Sequence, residues 1–156
     1  MKKNVLGLNW AYVQQVQLGL NQLLSHYQVH YQNLRGFHWN IRGKNFFDLH
    51  LQFEVWYSDA QVKIDTIAER ILTLGGTPLH TFDDYLAHNN IEVAQNMQQD
   101  EQSLTLVGKA LQQLLALERH IKQLADEAQD EGTSALMSDY IREQEKHLWM
   151  IGAWLG

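Results

Sequence analysis

Apolar positions recur every three or four residues through most of the chain, and the runs are long. Val13, Val16, Leu20, Leu23, Tyr27, Tyr31, Leu34, His38 and Ile41 form one such stripe. It predicts a helix over residues 9 to about 41. Arg42-Gly43-Lys44-Asn45 breaks the pattern, with Gly43 as the natural C-terminal stop. A second stripe, Phe46, Leu49, Phe53, Trp56, Ala60, Ile64, Ile67, Ile71 and Leu74, predicts a helix from about 46 to 74. Gly75-Gly76-Thr77-Pro78 ends it. The short break makes these two helices an antiparallel hairpin.

About twenty residues separate the second long helix from the third. Within them Thr81-Phe82-Asp83-Asp84 resembles a capping box and predicts a short helix through His88. A helix of ~20 residues spans ~30 Å, so this connection can run the length of a bundle. The third helix need not be antiparallel to the second. It is predicted from about 93 to 128, with Met97, Leu104, Val107, Leu111, Leu114, Ile121 and Leu124 inward. Asp130-Glu131-Gly132-Thr133 breaks it. The fourth is predicted from about 134 to 155, with Met137, Tyr140, Ile141, Leu148 and Ile151 inward. No strand-period run, internal repeat or low-complexity segment occurs. The expectation is an all-α single domain over residues 1–156.

Composition narrows the function classes. The 156 residues include one proline, ten glycines and 45% apolar positions, as in a compact one-core domain. There is no cysteine, which excludes disulfides, Cys-ligated zinc, Fe–S clusters and thiol catalysis, and fits a reducing compartment. Asn9, Gln14, Gln15 and Gln17 interrupt any apolar run after Met1-Lys2-Lys3, which argues against a secretory signal. No stretch reaches the ~20 apolar residues of a membrane span. A cytoplasmic protein is expected. Net charge is −6, unevenly placed: Lys2, Lys3, Arg35, Arg42 and Lys44 precede the first acid, Asp48, and 18 acids then face seven bases. An acidic body repels nucleic acid and attracts cations. The first helix carries only Arg35 as a charge before Arg42, on a Gln/Asn-rich outer face. That face either packs on another subunit or is neutral and solvated.

The informative positions are His38, His50, Glu54, Asp65 and Glu69. His38 interrupts an apolar stripe, and His50/Glu54 and Asp65/Glu69 are i, i+4 pairs on one helix. At ~100° per residue the four second-helix positions lie within ~100° of arc. The arc is expected to border the core, leaving these groups partly buried. Neither nearby base, Lys63 or Arg70, lies inside it. Buried carboxylates and imidazoles need partners or a metal. Two imidazoles with three carboxylates suit iron, manganese or zinc. Glu54 and Asp65 are eleven residues apart, ~16 Å along a helix axis, so they cannot meet at one centre within a single chain. Two second helices set antiparallel about a two-fold axis would bring them together.

The stretch Leu34-Arg35-Gly36-Phe37-His38-Trp39-Asn40-Ile41-Arg42-Gly43-Lys44-Asn45-Phe46-Phe47-Asp48-Leu49-His50 resembles the ferroxidase signature of the Dps family of mini-ferritins. Asp65-Thr66-Ile67-Ala68-Glu69-Arg70, closed by Leu74-Gly75-Gly76-Thr77-Pro78, is similar to the family's second block, and Lys146-His147-Leu148-Trp149-Met150 is also similar. The resemblance implies a ferritin-like four-helix bundle with a long crossover between helices two and three. It implies His38, His50, Asp65 and Glu69 as iron ligands of an intersubunit di-iron centre, with Glu69 able to bridge two irons. The family often has Asp where this chain has Glu54, so a second iron position is shifted by the longer side chain. Trp39 would lie beside the site and intercept stray oxidising equivalents. The resemblance further implies Fe²⁺ oxidation, preferentially by H₂O₂, storage of ferric mineral in a hollow homododecamer, and protection from oxidative stress.

Larger ferritins place a di-iron site inside one bundle and need two Glu-x-x-His motifs. None occurs here: Glu118 and His120 are two apart, Glu143 and His147 four. The latter read as ordinary helix polar residues. His26 and His30 are an i, i+4 pair with nothing nearby in sequence to complete a ligand set. Asp126, Glu127, Asp130 and Glu131 cluster at the third junction. They are a solvated helix end or, by resemblance, line an iron-entry pore, with Asp126 and Asp130 the best candidates. A rival function is nucleoid compaction through a basic tail. About eight residues holding two lysines precede the first helix, so DNA binding is expected to be weak or absent. A plain helical interaction module would leave His38 and the paired carboxylates unexplained.

Overall fold

The computed structural model describes residues 2–156. Five helices follow one another: α1 Trp10–Asn40, α2 Phe46–Thr73, α3 Phe82–His88, α4 Asp100–Glu127 and α5 Glu131–Leu155. The four long ones form the bundle. Every residue of the α1 and α2 stripes is buried or packed on the core; Leu20, Leu23, Phe53, Ile67 and Ile71 are inaccessible to solvent. Burial of each such side chain contributes roughly 1.5–3 kcal/mol.

The polar contacts show how the chain runs. Asn4 and Gln17 donate to the Leu74 carbonyl, so the end of α2 lies beside the start of α1. The Arg42 N–H donates to the Gln98 carbonyl and Asn45 to Asp100, so the start of α4 lies beside the end of α1. The crossover therefore travels the full bundle, and α2 and α4 run parallel. Gly75, at φ 87°, supplies the left-handed residue that closes α2. Thr81 accepts from the Asp84 N–H and so caps α3, while the Asp84 carboxylate accepts from the Thr81 hydroxyl, not from its backbone N–H as a full capping box would have it.

Two helix starts differ from expectation. α4 begins at Asp100, seven residues later than the apolar spacing suggested. Asn33 of α1 takes the backbone of the crossover instead, donating to Glu92 O and accepting from Ala94 N. Asn96 then turns through φ 55°. Those backbone groups are spent on α1 and cannot start a helix. α5 begins at Glu131, earlier than expected, because Asp130 is its N-cap and accepts from the Thr133 N–H.

Candidate functional site

His38 and His50 lie where the α1–α2 hairpin closes. The His38 Nδ1–H donates to the His50 carbonyl at 2.7 Å, and the His50 Nδ1–H donates to the His38 carbonyl at 2.7 Å. The rings stack with centroids 3.7 Å apart. Because carbonyls only accept, both Nδ1 atoms carry a proton, and in the neutral tautomer this selects, it is Nε2 that holds the lone pair a cation can use. Phe46 stacks on His50 and Tyr57 meets His38 edge-on. Tyr31 meets Tyr57, and the Arg35 guanidinium lies over both Tyr31 and Trp39. Trp39 is exposed beside the pair.

The carboxylates are placed otherwise than expected. His38 is buried and His50 half-buried, but Glu54, Asp65 and Glu69 are exposed. The shared arc is real, yet it faces away from the core. Along α2, Glu54, Asp65 and Glu69 fall within ~80° of arc together with Phe47, Leu51, Val62 and Leu72. Those four apolar side chains are 83%, 61%, 65% and 57% exposed. The outer face of α2 is thus both apolar and acidic, and its apolar side chains are a surface that solvent does not favour. The structure brings His38 and His50 together and leaves Asp65 and Glu69 far along the same straight helix. Among the described residues no three His, Asp or Glu side chains of one chain are grouped to hold a metal ion.

The junction cluster divides in two. Asp126 is exposed, paired with Lys122 at 2.7 Å and hydrogen-bonded by Ser134; the Lys122 contact holds its carboxyl below the usual range. Glu127 and Glu131 are exposed too. Asp130 is 4% exposed and fully engaged. It accepts from Arg70 at 2.6 Å, Tyr12 at 2.7 Å and Thr133. Burial works against its charge, but the hydrogen bonds from Thr133 and Tyr12 outweigh it and keep the carboxyl below its ordinary value. Asp130 thus ties α1, α2 and α5 together, and its carboxylate is not offered to solvent within the chain.

The spacing also concealed a buried polar cluster. Glu118, Lys63 and Gln144 each occupy an inward register position on α4, α2 and α5 and are 0%, 4% and 2% exposed. Tyr27 and Gln144 both donate to Glu118, and burial pushes its carboxyl up to about 7. The signal was available: Glu118 follows Leu114 by four and precedes Ile121 by three. Glu143 and His147 are not ordinary surface residues either, since Glu143 pairs with Lys63 and His147 packs on Trp56. His26 is buried with its Nδ1–H given to Gln22 O, while His30 faces the bundle interior.

The family model for the ferritin-like domain matches residues 17–156. The chain is 46% identical over 156 residues to the DNA protection during starvation protein of Porphyromonas gingivalis, covering 99% of this chain and 98% of that one. It is 36% identical to the protein of that name from Brevibacillus brevis, covering 91% and 95%. A solved Dps structure from Vibrio cholerae, described as a member of a broad superfamily of ferritin-like diiron-carboxylate proteins, superposes with TM-score 0.98 at 49% identity, covering 100% of this chain and 98% of that one. Ferritin-like is thus the class that fold and comparisons define. Within it, the chain belongs to the Dps family. Among the described residues no helix is long and apolar enough to cross a membrane.

Proposed function

We propose that the protein is an iron-storing ferroxidase that oxidises Fe²⁺, preferentially with H₂O₂, at di-iron sites each shared by two chains. His38, His50 and Glu54 of one chain would face Asp65 and Glu69 of its mate across a two-fold axis. One observation carries this reading: two imidazoles adjoin an exposed, apolar and acidic helix face whose Asp65 and Glu69 carboxylates lie ~22 Å and ~28 Å along the axis from His50. An antiparallel partner helix would cover the apolar side chains and bring Asp65 and Glu69 to the imidazoles in one movement.

The donor chemistry fits iron. Neutral imidazole and carboxylate form the mixed N/O set that first-row divalent metals favour. Two Fe²⁺ held together give up one electron each, and H₂O₂ with two protons accepts both and leaves as two waters. A lone Fe²⁺ delivers one electron and releases a hydroxyl radical instead. Trp39, exposed beside the imidazoles, would take up a stray oxidising equivalent. The same reading has two-fold dimers closing into a dodecameric shell that stores ferric mineral and limits oxidative damage. Asp126 would sit at its iron-entry pore, where an acidic field concentrates cations. The compartment proposed is the cytoplasm, a reducing space in which Fe²⁺ persists. DNA binding is weak or absent, because the acidic body offers few phosphate contacts.

The test is Fe²⁺ oxidation by air and by H₂O₂ on the purified protein, with particle size recorded in the same sample. The reading requires a faster peroxide reaction, a shell-sized particle, and loss of both rates in a variant with His38→Ala and His50→Ala. Wild-type rates in that variant would overturn it.

A further inference from the structure

The bundle interior holds a second group of donors that the outer-face chemistry does not use. Lys63 lies on the inward side of α2, its side chain 6% exposed. Its ammonium donates to Asp59 one turn earlier and to Glu143 of α5 at 2.8 Å, and it lies 5.1 Å from the centre of the Tyr140 ring. His30 of α1 and His147 of α5 line the same cavity as Lys63 and Asp59. The cavity measures about 20 Å³, room for one water or one bare ion. Gln144 also lines it. The Gln144 Nε2 donates to Tyr27 and Glu118, while its Oε1 is buried with no hydrogen-bond partner.

Two imidazoles, the Asp59 carboxylate and the Gln144 amide therefore line one cavity with the Lys63 ammonium, which Glu143 also pairs. Burial holds the His30 imidazole down to about 4, helped by His147 and Lys63, and burial also lowers His147. Both rings are neutral at neutral pH and can donate a lone pair. A mixed N/O set of this kind suits a divalent first-row ion. As they stand, no three of the described His, Asp or Glu side chains are grouped closely enough to hold a metal ion, so binding there requires these side chains to close on the space the ammonium now occupies.

We infer that the bundle interior is an intrachain cation site that the protein fills with its own Lys63, so that divalent ions are excluded there and remain available to the outer face. The last clause rests on the function proposed above. Two features support the inference. A buried ammonium is tolerated only where anions and hydrogen bonds compensate it, which is also what a bound metal ion needs. On the Glu143 side the movement required is small: metal–oxygen bonds are ~2 Å, under an ångström shorter than the 2.8 Å Glu143 contact. Asp59 and Glu143 are 38% and 41% exposed and free to make that adjustment.

The test uses the assembled protein carrying His38→Ala and His50→Ala, which removes the outer imidazoles. Co²⁺ is the probe, its stoichiometry read by calorimetry and its coordination by visible absorption. Adding Lys63→Ala should gain one bound Co²⁺ per chain with a nitrogen/oxygen d–d spectrum, and a further His30→Ala should abolish both. Lys63→Gln keeps the length and a donor for the carboxylates, and should gain the ion too. Lys63→Arg keeps the charge and should not. Folded Ala and Gln variants that bind no more Co²⁺ than the parent would overturn the inference. So would a parent that already binds the extra ion. Undiminished iron oxidation in the parent would instead sink the outer-face reading and leave the cobalt count standing.

Discussion

His38 and His50 fix each other: each ring donates its Nδ1–H to the other residue's backbone carbonyl at 2.7 Å, across the turn that joins α1 to α2. Because the acceptors are backbone atoms, replacing one histidine leaves the other oriented. His38→Ala and His50→Ala should each lower the rate of Fe²⁺ oxidation by at least about tenfold. Helix content by circular dichroism should be unchanged. A single variant that keeps the wild-type rate would remove that residue from the ligand set.

Asp126 and Asp130 are four residues apart and should behave differently. Asp126→Asn removes an exposed charge, so stability should stay within about 0.5 kcal/mol of wild type while iron uptake slows at low ionic strength. Asp130→Asn breaks a buried pair with Arg70 and the N-cap of α5, and should cost about 2–3 kcal/mol. Denaturant midpoints and uptake kinetics on both variants decide this. Equal stability losses would contradict the division.

Glu118 makes stability depend on pH. Its folded carboxyl is raised to about 7 from 4.5, so the folded state binds the proton more tightly than the unfolded state. That contribution is fully present below about 4.5 and is lost as pH rises towards 7, on the order of 3 kcal/mol in all. His30 acts in the opposite sense. Its folded value is lowered to about 4 from 6.5, so its contribution is present above about 6.5 and lost as pH falls. Glu118→Gln should therefore stabilise the protein at pH 7 and leave only the acid-side loss. Melting temperatures of both proteins from pH 4 to 8 test this. Parallel curves would show that Glu118 does not titrate in that window.

Much of the fold was legible because four stripes at helical spacing leave few alternatives. α1, α2 and the Thr81 cap follow directly from local rules. The start of α4 did not, because Asn33, sixty residues away, captures the backbone that the spacing assigned to a helix. The five candidate ligands stood out by residue type and spacing, but their exposure on α2 was misjudged. Periodicity already places Glu54, Asp65 and Glu69 on one arc roughly 120–180° from the Leu49, Phe53, Trp56, Ala60, Ile67 and Ile71 stripe, so the expectation that they border the core misjudged that angle, and the packing confirms them outward. Asp130 read as one acid among four; its commitment to Arg70 and Tyr12 is a long-range fact. Lys63, Glu118 and Gln144 were missed although each lies on an apolar stripe, since a polar residue in such a stripe reads as an interruption until its partners on other helices are known.

The central claim is that the iron site is divided between two chains, and complementation tests it most directly. One variant carries His38→Ala and His50→Ala; the other carries Asp65→Ala and Glu69→Ala. Each alone should be nearly inactive in peroxide-driven Fe²⁺ oxidation. Unfolded together in equal amounts and refolded, half of the dimers should be mixed, each with one intact site of two. About a quarter of the wild-type rate should return. If mass analysis confirms mixed assembly and no activity returns, the shared site is contradicted and the ligands must be assigned within a single chain.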